Sequence, residues 1–301
     1  MEKFATENNR RVTASTGFAT LTPACTVDID NININYTENI LSDEHLTVVL
    51  IHGFGASLET WSDIYPLLCP FYSVIRMDLK GSGFSSKPKD SQYSPSDQAL
   101  LLLKFLKELR QTNVVLVGHS LGGGVALLTY FESLLLTQGI SVKGLILIDS
   151  AGYSQSLPFF VSTVQNPVTR FVSHLMSPEQ RVRFVLNKII KLKRRVTPDR
   201  VRRYSYFLDK PGSRYALYQT AKQIVPRNVS ELSSKFSTIS VPTLILWGAD
   251  DPVISVEYGH RFNQDIPNSR LVVLADTGHI PQEERPSETF SAMNQFLKTL
   301  R

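Results

Sequence analysis

Cysteine is scarce: Cys25 and Cys69 are the only two in 301 residues. They stand in unrelated contexts, so they make neither a disulfide framework nor a metal-binding spacing. A reducing compartment suits such a chain. Long apolar runs are missing too. None reaches the roughly 20 residues that cross a bilayer, and Met1 to Asn9 holds no apolar core of signal-peptide length. A cytoplasmic protein is therefore expected. No internal repeat or low-complexity tract appears. What remains is an ordinary globular composition, 42% hydrophobic and 20% charged, with enough apolar material for a large core without staples. A chain of this length makes one large domain, or one domain carrying an insertion.

Charge is unevenly spread. Ala151 to Phe236 holds 16 Lys/Arg against 4 Asp/Glu, a balance of +12. The rest of the chain holds 16 against 23, a balance of −7. A basic segment set in an acidic remainder marks a separate module.

Residues 1–25 are polar, rich in Thr, Asn and Ala, and read as a poorly ordered arm. Thr26–Tyr36 alternates apolar and polar residues about Asp30-Asn31, a hairpin pattern. Buried strands are expected at Thr47–Ile51, Tyr72–Asp78, Val114–Val117 and Lys143–Asp149, where β-branched and aliphatic residues dominate. Helices are expected through Trp61 and Leu68, over Pro95–Arg110 and over Val125–Leu136. Alternation then stops. Residues 151–236 carry helical pieces punctuated by six prolines and no convincing strand. Strands resume at Thr243–Trp247 and Arg270–Leu274, with helices at Ser255–Asn263 and Pro286–Leu300.

This pattern predicts an α/β fold with a mostly parallel central sheet and helices on both faces. Residues 26–150 and 237–301 are expected to form its core domain. Residues 151–236 are expected to form an inserted helical cap over the carboxyl ends of the strands, where ligands bind in such sheets.

Gly118-His119-Ser120-Leu121-Gly122 joins the strand at Val114 to the helix at Val125. The spacing G-x-S-x-G suits a serine held clear of its neighbours on a sharp strand-to-helix turn. Residues two positions to either side must be nearly bare, because strand and helix cross closely there. By itself the pentapeptide also fits a glycine-rich loop that merely contains a serine. Two further points line up behind it: Asp251, after Trp247-Gly248, and His279, after Thr277-Gly278. Each follows a predicted strand. A serine hydroxyl is a weak nucleophile that needs a base, and imidazole needs a carboxylate to fix its tautomer.

His52-Gly53-Phe54, Asp78-x-x-Gly81-x-Gly83-x-Ser85, Gly118-x-Ser120-x-Gly122, Gly248-x-x-Asp251 and Gly278-His279 occur in the order expected of α/β-hydrolases. From about residue 26 onward the chain resembles that superfamily, in particular its capped serine hydrolases of the esterase and lipase kind. The resemblance implies that Ser120 is the nucleophile, His279 the general base and then acid, and Asp251 the orienting carboxylate. It implies an oxyanion hole formed by the backbone N–H groups of Phe54 and Leu121, and chemistry without cofactor or metal. Asp250 and Asp149 compete for the acid's role. The Gly-x-x-Asp spacing favours Asp251, while Asp149 ends the preceding strand, where some relatives keep their acid. His52 belongs to the signature that supports the oxyanion loop, and His119 neighbours the site. His45, His174 and His260 are given no role, and Asp78 is expected to brace a turn.

Relatives that open epoxides or displace halide carry aspartate where this chain has Ser120. Acyl transfer through a serine ester, with water as acceptor, is therefore the expected reaction. Carbon–carbon bond hydrolases of ring-cleavage dienoates also use serine and a cap. Their usual Gly-Pro-Gly loop and the tryptophan after the base are replaced here by Gly53-Phe54-Gly55-Ala56 and Ile280. Proline iminopeptidase-like enzymes fit less well, since no acidic cap cluster is available to hold an amine. A ligand-sensing protein reusing the fold keeps the same residues, and is an alternative.

The basic run Lys188–Arg195, with Arg200, Arg202 and Arg203, has three readings. It is a solvated face balancing an acidic core, a patch attracting an anionic acyl substrate, or a contact with anionic lipid. For the last, Phe184, Leu186, Ile189, Ile190 and Leu192 interleave with the charges as in an interfacial helix. Nucleic acid is not an expected partner, because no recognition motif accompanies the charge. The stretch Tyr153 to Phe160 lines an apolar acyl pocket or packs the core. Oligomeric state is not legible.

Overall fold

The computed structural model describes residues 25–41, 46–136, 139–173, 175–226 and 229–300. Eight strands form one sheet: β1 (Cys25–Ile29), β2 (Ile32–Asn39), β3 (Thr47–Ile51), β4 (Ser73–Met77), β5 (Asn113–His119), β6 (Ser141–Ile148), β7 (Thr243–Gly248) and β8 (Ser269–Leu274). Their spatial order is β1-β2-β4-β3-β5-β6-β7-β8. β1 and β2 make the expected hairpin, turned at Asp30 and Asn31, both at positive φ (53° and 65°) as a tight primed turn requires. β2 meets β4 antiparallel, and every later pairing is parallel.

The aliphatic strands are buried on both faces. In β3, Val49 and Ile51 enter one apolar cluster with Phe105, Val125 and Phe262. Val48 and Leu50 point the other way, into a cluster with Trp61, Met293 and Phe296. Such two-sided burial is why these strands read as unbroken hydrophobic runs.

The helices are α1 (Tyr65–Leu68), α2 (Pro95–Glu108), α3 (Leu121–Leu135), α4 (Phe159–Gln165), α5 (Pro167–Ser173), α6 (Pro178–Ile189), α7 (Pro198–Ser205), α8 (Ser213–Gln223), α9 (Val229–Ser234), α10 (Val256–Asp265), α11 (Pro281–Glu284) and α12 (Pro286–Leu297). Residues of α2, α3 and α10 cover one face of the sheet, and those of α1 and α12 the other. Ser94 starts α2 through a reciprocal capping box with Asp97, with Pro95 at the first helical position. The helix expected after β3 is instead a 3₁₀ turn at Leu58–Trp61 followed by the single turn of α1. The helix after β5 begins at Leu121, four residues earlier than its periodicity suggested, and carries three glycines in its first turn. The arm expected over residues 1–25 lies outside the described residues except for Cys25, which opens β1. His45 and His174 also lie outside them. Among the described residues no helix is long and apolar enough to cross a membrane.

Helices α4 to α9 are inserted between β6 and β7. α6 and α7 bury Val182, Leu186, Ile189 and Val201 against Ile280, which follows β8. Arg200 of α7 is 5% exposed and pairs with Asp63 and Glu283 of the sheet domain. The hydroxyls of Thr60 and Tyr204 also donate to Glu283. One member of the basic run therefore clamps the insert to the core. Of the residues that one reading set along an interfacial stripe, Phe184, Leu186, Ile189, Ile190 and Leu192, the same packing corrects three: Leu186, Ile189 and Ile190 face inward, while Phe184 is exposed.

Candidate active site

β5 ends at His119, and Ser120 turns at φ 55°, ψ −120° before α3 starts. A non-glycine residue held there costs about 1–3 kcal/mol and persists only where its surroundings over-determine it. They do so here. Ser120 N–H donates to Ile148 O at 3.0 Å, and Ser120 O accepts from Gly123 and Ala151 N–H at 2.9 and 3.0 Å. The flanking glycines are equally constrained. A Cβ on Gly118 would lie 2.2 Å from Gly122 O, and one on Gly122 would lie 2.3 Å from Ile51 O. Backbone occupies the space where a side chain would go.

Asp251 follows β7 and His279 follows β8. The structure brings both to Ser120. His279 Nδ1 lies 2.7 Å from Asp251 Oδ2, and Nε2 lies 3.0 Å from Ser120 Oγ. The other Asp251 oxygen accepts from Val253 and Ile254 N–H at 2.7 and 3.1 Å. With the carboxylate on its Nδ1 side, the imidazole presents Nε2 to the hydroxyl as an acceptor. Asp250 points outward and pairs with Lys191 at 3.2 Å.

Asp149, after β6, is fully buried beneath this group. Its Oδ1 accepts from Gly248 N–H at 2.9 Å, and its Oδ2 is buried without a hydrogen-bond partner. Burial, and then the charge of Asp251, push the Asp149 carboxyl well above the usual range, which favours its protonated form. Donor atoms of Asp149, Asp251 and His279 all lie within 4.8 Å of one another. The Asp251 oxygens are already engaged by the imidazole and two backbone N–H groups, so the donor set reads as a hydrogen-bonded cluster rather than a cation cage.

Three further contacts hold His279 and its loop; the sequence marked His119 as a neighbour of the site but gave Glu284 no role. His119 places Nε2 at 2.7 Å from His279 O, donating to it. Burial, with the neighbouring His279, pushes His119 down to about 3, so it stays neutral. His279 N–H donates to Ile189 O at the end of α6. Glu284 accepts from Gly278 N–H on one oxygen and from Lys191 and Leu192 N–H on the other, each at 2.9 Å. It thus ties the insert to the loop that carries His279. Glu284 lies on α11, a single turn too short for any periodicity; its one sequence cue is Pro281 at the first helical position.

His52 is buried beside the expected oxyanion loop. Its Nδ1–H donates to Gly53 O at 2.8 Å, and its Nε2 accepts from Leu79 N–H at 3.0 Å. Gly53 packs directly on the serine, since a Cβ there would sit 3.1 Å from Ser120 Cβ. Phe54 follows on this loop. Leu121 N–H opens α3, where no preceding turn supplies an acceptor. Asp78 accepts from Leu58 N–H, Asn35 Nδ2–H and Phe84 N–H at 2.7–2.9 Å, which braces the turn below. His260 lies exposed on α10.

Two cavities meet at Ser120. The larger, about 440 Å³, opens under the insert and is lined by Ala56, Phe160, Val185, Leu217 and Ile280 among others. The smaller, about 70 Å³, lies toward Leu121, Leu128, Val161 and Ile254. Phe54 and Phe160 border both. Of the stretch Tyr153 to Phe160, Phe159 and Phe160 line the large cavity, and Tyr153, which also packs on Phe236 and Phe262, borders the small one with Leu157 and Pro158. Three arginines reach the large cavity. Arg181 and Arg214 pair with Asp209, while Arg170 stacks on Tyr218 and donates to Val164 O.

Lipase 1 of Psychrobacter immobilis is 26% identical over 257 residues, covering 84% of this chain and 77% of that protein. A 2-hydroxy-6-oxo-6-(2'-aminophenyl)hexa-2,4-dienoic acid hydrolase of Metapseudomonas resinovorans is 28% identical over 258 residues, covering 83% of each. A crystal structure of an α/β hydrolase fold protein from Burkholderia ambifaria shares the fold at a TM-score of 0.80 and 23% identity, over 92% of this chain and 99% of that one. Residues 47–286 match the family model described as alpha/beta hydrolase fold. With the parallel sheet, the strained serine after β5 and that match in agreement, the chain belongs to the α/β-hydrolase fold family.

Proposed function

We propose that the protein is a serine hydrolase that cleaves a carboxylic ester or related acyl compound through an acyl-Ser120 intermediate. The observation that carries this reading is the hydrogen-bonded line from Asp251 through His279 to Ser120, with spacings of 2.7 and 3.0 Å, facing an apolar cavity. His279 Nε2 takes the hydroxyl proton as Ser120 Oγ adds to the acyl carbonyl carbon, and Asp251 steadies the resulting imidazolium. The N–H groups of Phe54 and Leu121 are the donors for the oxyanion. On collapse His279 gives its proton to the departing alkoxide, and the acyl group stays on Ser120. Water then adds to that ester, losing a proton to His279. Oγ departs with the same proton and frees the acid. No step calls for a cofactor or metal.

The unequal cavities support a substrate with one bulky apolar group and one compact group. The mostly apolar lining suits neutral or weakly polar esters, while Arg181 and Arg214, which share the single carboxylate of Asp209, and Arg170, held by neutral partners, leave positive charge at its edge. The dienoic acid hydrolase relative keeps carbon–carbon bond cleavage as a second reading. The loop Gly53-Phe54-Gly55-Ala56 and Ile280 after His279, in place of that group's usual Gly-Pro-Gly loop and tryptophan, count against it.

A fluorophosphonate probe and a series of p-nitrophenyl esters of increasing acyl length test the proposal. Labelling of Ser120 and steady turnover that vanishes in Ser120→Ala are expected. Labelling elsewhere, or unchanged turnover in that variant, would sink it. Tight ligand binding with negligible turnover would point instead to a sensor on the same fold.

A further inference from the structure

Helix α5 is built inside out. A short helix at a protein surface ordinarily turns its apolar stripe inward. α5 has no buried residue at all. Val168, Phe171 and Val172, spaced i, i+3, i+4, are 69%, 69% and 54% exposed, and Leu175 in the next turn is 77% exposed. Its polar residues make the contacts back to the protein, although Thr169 is itself exposed. Thr169 Oγ1 donates to Thr163 O at 3.1 Å, and Arg170 lies on the Tyr218 ring and donates to Val164 O. Exposure on this scale over contiguous residues marks an interaction surface rather than the scattered apolar positions of an ordinary exterior.

The patch does not stop at α5. Phe159 of α4 and Phe184 of α6 meet edge to face at 6.1 Å and are both exposed. Together with Val172 and Met176 they line the mouth of the large cavity. The exposed apolar surface is therefore the rim through which the cavity opens. Charge identifies what meets it. Residues 159–195 hold eight Lys/Arg and one acid, Glu179. Arg183 and Lys188 are exposed on α6, and the Lys188 ammonium lies 5.9 Å from the Phe184 ring. A second copy of this chain would bring two such basic segments together and repel. A surface of anionic phospholipid neutralises them while taking up the aromatic and aliphatic side chains.

We propose that the outward face of α4, α5 and α6 docks the protein on a bilayer containing anionic phospholipid, with the mouth of the large cavity against the lipid. Bulky apolar substrates then pass from the bilayer into the cavity without crossing water. That last consequence rests on the proposed hydrolase activity; the docking itself does not.

The test uses the full chain carrying Ser120→Ala, so that its outcome is independent of catalysis. Co-flotation is measured with vesicles of phosphatidylcholine alone and of phosphatidylcholine mixed with phosphatidylglycerol. Binding to the mixed vesicles is expected to be roughly tenfold or more stronger and to weaken as salt is raised. Replacing Val168, Phe171 and Leu175 by serine should lower that binding by about tenfold or more at unchanged melting temperature. In the Ser120-intact protein the same changes should leave turnover of a water-soluble ester unaltered, since these three side chains do not line the cavity. Arg183→Glu with Lys188→Glu is a second, independent variant, expected to abolish the preference for phosphatidylglycerol. The proposal is overturned if the mixed vesicles do not bind the protein. It is overturned equally if the serine variant binds as tightly as the parent, or if the patch instead drives self-association that the serine changes abolish.

Discussion

His119 hands the proton on its Nε2 to the backbone carbonyl of His279, 2.7 Å away. The residue just before the serine thus supports the loop that carries its partner imidazole. Burial keeps His119 neutral, at about 3, against about 6.5 for an unfolded histidine. The sign follows from linkage. As pH falls below about 6.5 the unfolded chain gains a proton that the folded one refuses, so stability present above that pH is progressively lost down toward about 3. His119→Gln should therefore lose less stability on acidification than the parent. At about pH 5 the difference in loss should be on the order of 2 kcal/mol, read by urea unfolding at neutral and acidic pH. Parallel acid limbs would contradict this.

The two adjacent carboxylates should separate cleanly. Asp251→Asn is expected to lower kcat by roughly 10⁴-fold, because it removes the acceptor that fixes the imidazole tautomer. Asp250→Asn, which loses only an exposed ion pair with Lys191, should change kcat by less than about twofold. Steady-state kinetics on a soluble ester measure both. Comparable effects at the two positions would undo the assignment.

Asp149→Asn is expected to stabilise the protein as pH rises. Burial and the charge of Asp251 push the native carboxyl well above the usual range, while the unfolded one ionises near the ordinary value of about 3.9. A raised native pKa contributes stability that is complete below that value and is lost as pH climbs through the native one. Asparagine keeps the acceptor for Gly248 N–H and never ionises. Its thermal advantage over the parent should be absent near acidic pH and widen toward neutral. A gap that narrows with rising pH would contradict the raised native value.

Arg200→Ala should cost about 3–5 kcal/mol, since it leaves Glu283 buried without its cation. Combining it with Glu283→Gln should restore part of that loss, as chemical denaturation of the two variants would show. An additive penalty would mean the pair does not act as a unit.

Much of this architecture was readable along the chain. Strands such as Thr47–Ile51 announced themselves because burial on two faces leaves no polar position to interrupt the run. Gly118 and Gly122 were legible for a similar reason, as backbone from a neighbouring segment fills the space beside each. These are local demands, met by local residue choice. The face presented by a short helix is a different matter. α5 and α6 both carry apolar stripes, yet one turns its stripe to solvent and the other packs Leu186 and Ile189 on Ile280. Periodicity records that a stripe exists, while its direction depends on which surface the folded chain lays beside it. The same holds for Glu284, Arg200 and the buried Asp149. Their roles come from partners tens of residues or more away in the chain, and proximity of that kind arises only once the sheet and its insert have closed together.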